Sequence, residues 1–96
     1  MFMTKTSLLI RKLVLEKGFH VDIYPHCDTL GTCKIVMSKD EGSFTPMVSR
    51  HILRKDHEDK TDDEIDDMFC DILTELEKKL GFAILLGYVE TMKNKD

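Results

Sequence analysis

Tryptophan is absent from this sequence, and proline (two), cysteine (three) and glycine (five) are scarce among its 96 residues. So few prolines and glycines leave no room for a linker, and there is no repeat or low-complexity tract. One domain covering residues 1–96 is therefore expected. An odd cysteine count argues against the disulfide framework of a small secreted domain and points to a reducing, cytoplasmic compartment. No apolar run approaches the ~18–20 residues that cross a bilayer. The apolar stretch at residues 7–15 is interrupted by Arg11 and Lys12, and no small-residue cleavage site follows it. Neither a membrane partner nor a leader peptide is expected.

What is present suits a folded chain: 42% hydrophobic and 33% charged residues, enough for one core burying about 60–65% of the unfolded surface. The formal charge of −4 hides an asymmetry. Residues 56–77 hold eleven acids against one base, Lys60, while the rest of the chain has seven acids and thirteen bases. One side of the molecule should be strongly negative, repelling nucleic acid and attracting basic surfaces.

The periodicity then orders the elements. Leu9, Ile10, Leu13 and Val14, with Thr6 or Ser7 as cap and Gly18 as stop, predict a helix over 6–17, with Leu8 and Leu15 widening its apolar face until it is well covered. From Phe19 the period becomes two: Phe19, Val21 and Ile23 alternate with His20, Asp22 and Tyr24. Runs at 33–37 and 43–48 read as two more strands, the latter after a turn at 39–42. A three-residue loop at Thr29-Leu30-Gly31 would pair Ile23 with Met37 and Cys27 with Cys33. Pairing Ser38 with Ser43 would set Ile35 opposite Pro46 on an edge strand. Arg54 to Lys60 should be an exposed, mobile loop. Thr61 and Glu64 form a capping box, after which Ile65, Met68, Phe69, Ile72, Leu73, Leu76 and Leu80 make one helical stripe, with Gly81 as its stop. Residues 82–89 are apolar all round, fitting a strand beside the first strand or a short helix. The expected class is α+β: a two-layer α-β-β-β-α fold with an antiparallel three-stranded meander, plus a C-terminal apolar strand or short helix. Both helices would cover one sheet face. The other would show His20, Asp22, Tyr24, His26, Lys34, Val36, Thr45 and Met47.

No site announces catalysis. His20, Tyr24 and His26 share a strand face and form a candidate secondary surface, but no nucleophile, oxyanion donor or pocket accompanies them, and no enzyme activity is expected. Cys27 and Cys33 lie in YPHCDTLGTC with His26 adjacent. The spacing is not the C-x2–4-C of structural zinc, and the expected register turns His26 away. No metal or cofactor is expected, and a metal- or redox-responsive module using Cys27 and Cys33 stands as the alternative. The element order matches double-stranded-RNA-binding domains, yet the last helix opens on Asp62-Asp63-Glu64-Ile65-Asp66-Asp67 where those domains are basic. Direct nucleic-acid binding is therefore not expected.

That acidic helix is the unusual feature. Asp63, Asp67 and Asp71 repeat at i, i+4, i+8 with Glu64 beside them, a spacing that costs a few tenths of a kcal/mol per pair. Their ~6 Å steps are comparable to phosphate separation along a nucleic-acid strand. Glu58, Asp59, Asp63, Glu64, Asp67 and Asp71 are the candidate partner-binding residues. The expected function is a non-enzymatic protein-binding module, adaptor or inhibitor, docking onto a basic surface, including that of a nucleic-acid-binding protein. Nucleic-acid mimics such as phage- or mobile-element-encoded anti-CRISPR proteins are an analogy of size and charge. A homo-oligomer through the open sheet face or an edge strand is compatible with this plan.

Overall fold

The computed structural model describes residues 4–24 and 33–93. Helix α1 (Thr4–Lys17) leads into strands β1 (His20–Tyr24), β2 (Cys33–Ser38) and β3 (Met47–Ile52). A 3-10 turn at Arg54–Asp56 then precedes the long helix α2 (Asp62–Lys93). The strands form an antiparallel sheet in the order β1-β2-β3, with both helices on one face. This is the expected α+β architecture. Leu13, Phe19, Ile35, Met37 and Ile52 meet Phe69, Ile72, Leu73, Leu76 and Leu80 in a single core, with Ile65 and Met68 packed against its edge. Among the described residues no helix is long and apolar enough to cross a membrane.

α1 departs from expectation at both its start and its outer side. It begins at Thr4, and Thr6 is a buried residue within it rather than its cap. Leu8 and Leu15, seven residues apart on the side away from Leu13, are 63% and 70% exposed, and Val14 is exposed too. A helix in a two-layer fold has only one side to bury, so a wide apolar face cannot be covered. Gly18 ends the helix as expected, at φ +70, and the Phe19 N–H returns to the Leu13 carbonyl.

The sheet keeps its expected faces but not its expected registers. Ile23 pairs with Ile35 and Val21 with Met37, two residues from the predicted alignment. β3 runs from Met47, not Ser43, and sets Met37 opposite Val48, Ile35 opposite Arg50 and Cys33 opposite Ile52, a slip of four. Even slips leave every side chain on its own face, so the apolar pattern that selected a face could not select between these registers. The turn did. Glu41 N–H donates to the Phe44 carbonyl, with Gly42 (φ +89) first of the two residues between. The hairpin tip thus lies beyond the predicted turn, at a position where glycine is favoured. Lys39 N–H reaches the Pro46 carbonyl, and proline returns no donor, which ends the regular ladder there. Thr45 is thereby outside the strand, and the open face carries His20, Asp22, Tyr24, Lys34, Val36 and Met47 with Ser49 and His51. His26 and Cys27, and with them the expected Cys27–Cys33 pairing, lie outside the described residues.

α2 runs unbroken through Gly81 and Gly87 to Lys93, so residues 82–89 are its continuation and not a strand beside β1. An interior glycine costs about 1 kcal/mol against alanine, less than the good helix formers around it supply. The two glycines differ. No atom lies within 4 Å of where a Cβ on Gly81 would sit, whereas one on Gly87 would fall 2.3 Å from the Phe44 ring. That ring stands edge-on to Tyr88 at 5.0 Å, and the Tyr88 hydroxyl donates to Glu41 Oε2 at 2.8 Å. Gly81→Ala is expected to raise the melting midpoint by roughly 4–8 °C. Gly87→Ala should gain nothing, because displacing Phe44 forfeits an aromatic contact worth about 0.5–1.5 kcal/mol. Equal gains in thermal melts of the two variants would show that the Phe44 ring yields freely.

Candidate functional site: the acidic face of α2

The start of α2 is fixed by the expected capping box. Thr61 N–H donates to Glu64 Oε1 at 3.0 Å and Glu64 N–H to Thr61 Oγ1 at 3.2 Å. The hydrogen bonds from Thr61, its backbone N–H foremost, hold the Glu64 carboxyl below the usual range. From there the helix carries its acids along the outer layer while Ile65, Phe69, Ile72 and Leu73 turn inward.

Glu64, Asp67, Asp71 and Glu75 line one open groove of about 410 Å³ with Met68 and Ile72, and Lys60 and Arg50 complete its walls. Four carboxylates face two cations, and Met68 and Ile72 are the apolar part of the lining. The expected residues Glu64, Asp67 and Asp71 are therefore brought together. Glu58, Asp59 and Asp63 are exposed but do not line the groove. Glu75 belongs to it and was legible on the same helical face, seven and eleven residues after Met68 and Glu64. Arg50 was not, since it reaches the groove only in the observed β3 register.

Several of these acids already have structural partners. Asp67 pairs with Lys5 at 2.9 Å, Glu75 with Arg50 at 2.9 Å and Lys79 at 3.3 Å, Glu58 with Arg54 at 3.6 Å, and Glu77 with Lys17. The Asp67 hydrogen bond and charge raise the Lys5 ammonium pKa. Asp59, Asp62, Asp63 and Asp71 make no ion pair or side-chain hydrogen bond among the described residues.

Asp66 is different again. It is one of the eleven acids of residues 56–77, yet it is only 6% exposed. Its carboxylate accepts the Lys5 N–H (2.9 Å), the Thr6 N–H (2.8 Å) and the Thr6 hydroxyl (2.7 Å). It caps the first turn of α1 from the neighbouring helix. One signal was available: Asp66 lies close to the inward direction set by Phe69 and Leu73 on the helical wheel.

The remaining expectations do not assemble. His20 and Tyr24 occupy opposite ends of β1, about 13 Å apart, opposite Ser38 and Lys34 respectively. Tyr24 lines a shallow depression of about 400 Å³ with Asp22, Lys34, Val36 and Met47, which His20 does not reach. Cys33 faces the helices opposite Ile52, and the Cys70 thiol lies 3.8 Å from Thr6 Oγ1. Among the described residues no three histidine, cysteine or acidic side chains gather to hold a metal. Compared with protein families, characterised proteins and solved structures, the chain gives no match.

Proposed function

We propose that this chain is a small, non-enzymatic protein-binding module that docks the acidic face of α2 onto a basic protein surface. One observation carries the reading. Asp71, inside the groove, and Asp63, a turn before Asp67, are exposed carboxylates that make no ion pair or side-chain hydrogen bond among the described residues. Like charges at i, i+4 disfavour the helix slightly, and only Asp63, in the first turn, has the helix dipole to set against that cost. The groove suits a lysine or arginine from a partner. The methylene stem lies on Met68 and Ile72 while the cationic head meets Asp71 and Glu64. A nucleic-acid-binding protein presents such cations in a row, and the ~6 Å rise of successive turns offers carboxylates at the spacing of phosphates. An inhibitor that occupies a phosphate-binding groove is the most specific form of this reading.

The test is the triple variant Asp63→Asn, Asp67→Asn, Asp71→Asn. Asp63 and Asp71 have no partners among the described residues to lose, and the exposed Asp67–Lys5 pair contributes little, so far-UV circular dichroism should be unchanged. Against a basic partner recovered by affinity capture and measured by calorimetry, affinity should fall roughly 10–100-fold at low salt, and its salt dependence should flatten. Unchanged affinity and unchanged salt slope in the triple variant would remove the acidic face from the interaction.

A further inference from the structure

Past Leu80 the outward side of α2 changes character. Up to Glu75 that side carries Glu64, Asp67, Asp71 and Glu75, and beyond Lys78 it carries Phe82, Leu85, Leu86, Val89 and Met92. These five are between 39% and 73% exposed. The opposite side is occupied: Ile84 packs against the core and Gly87 lies under the Phe44 ring. Isolated apolar residues on a surface need no explanation, but five on one helical stripe make a patch on the order of 500 Å², at the upper end for a monomer.

We infer that this face is a homodimer interface, in which α2 packs antiparallel against α2 of a second copy about a two-fold axis near Gly87. Phe82, Leu85, Val89 and Met92 are spaced three, four and three residues apart, the seam of a two-helix pairing. That spacing reads the same in both directions. An antiparallel two-fold therefore sets Phe82 against the second copy's Met92 and Leu85 against its Val89, giving apolar layers throughout. Charge chooses the direction. A parallel pair would lay the acidic stretches from Glu64 to Glu75 side by side, whereas the antiparallel pair sends them to opposite ends, with the two Asp71 residues roughly 50 Å apart. Two such patches bury on the order of 1,000 Å² together, enough for a specific interface of moderate strength. Each copy keeps its acidic groove open, so the dimer presents two.

Sedimentation equilibrium from low micromolar to submillimolar concentration tests this. The wild-type chain should pass from monomer to dimer, with a dissociation constant in the micromolar range. Leu85→Glu should remain monomeric throughout with unchanged circular dichroism. Met92→Glu, at the most exposed position of the stripe, serves if Leu85→Glu does not fold. A spin label at Asp71→Cys, with the native cysteines changed to serine, should report about 50 Å between copies. A wild-type chain that stays monomeric, a dimer that survives both glutamate variants, or a label distance below about 20 Å would each overturn the arrangement.

Discussion

Asp66→Ala is expected to lower the thermal midpoint by roughly 10 °C or more, with loss of helical signal from α1. The first N–H groups of any helix lack partners within it, and here the Asp66 carboxylate supplies acceptors to two of them and to the buried Thr6 hydroxyl from sixty residues away. Alanine would leave the two N–H groups unmatched, would leave the Thr6 hydroxyl to the longer bond it already makes to the Asp66 backbone carbonyl at 3.2 Å, and would remove a negative charge from the positive end of the helix dipole. Asp66→Asn keeps the shape and one acceptor but not the charge, and should fall between. Asp63→Ala, one turn earlier and exposed without a partner among the described residues, should melt like the wild type. If Asp66→Ala does so too, within about 2 °C, the cap is not what holds α1.

The same carboxylate gives the protein an acid limit. Burial pushes the Asp66 carboxyl up, but the Thr6 hydroxyl and the Thr6 and Lys5 N–H groups outweigh it and hold its pKa below the ordinary value. Glu64, through Thr61, and Glu41, through Tyr88 and then Lys39, are lowered as well. A carboxyl whose folded pKa is depressed contributes stability that is complete above its unfolded pKa, about 4, and is lost as pH falls through the folded value. Denaturation midpoints should therefore be flat in these groups near neutrality and drop below about pH 4, with a shallower drop in Asp66→Asn.

Most of the fold was legible because it rests on patterns with a definite period. The Thr61–Glu64 box, the stripe from Ile65 to Leu80 and the alternation from Phe19 to Ile23 each state a local preference that packing then uses. Registers were not legible, because a slip of two or four residues leaves Ile35 and Met37 on the same face, and between β2 and β3 only the turn at Gly42 distinguishes them. Gly81 misled because a glycine that ends a helix and one inside it are told apart only by the residues C-terminal to it, and an all-apolar stretch carries no period to decide. For the site, the sequence located the acidic helix but could not apportion its charges. Asp66, Asp67 and Asp71 look alike in a run of acids. Only the fold makes the first a buried cap, the second a partner of Lys5 and the third an unmatched carboxylate in a groove.

Leu80→Ala should cost about 2–5 kcal/mol, a large share of the roughly 5–15 kcal/mol that holds an ordinary domain. Leu80 is the last fully buried side chain of α2. It joins the core formed with Leu76, and little can collapse to fill the space left by alanine. Leu85→Ala removes the same atoms five residues later, from a side chain 58% exposed, and should cost no more than about 0.5 kcal/mol in dilute protein. Urea titrations with equal slopes compare the two directly. A large cost for Leu85→Ala at dilution would mean that the outer stripe is already covered within one chain. At high concentration the two variants should exchange roles. Wild-type stability should then rise with concentration, since association favours the folded state, and Leu80→Ala should retain that rise. Leu85→Ala should lose much of it, because the methyl groups it removes are buried only against a second copy.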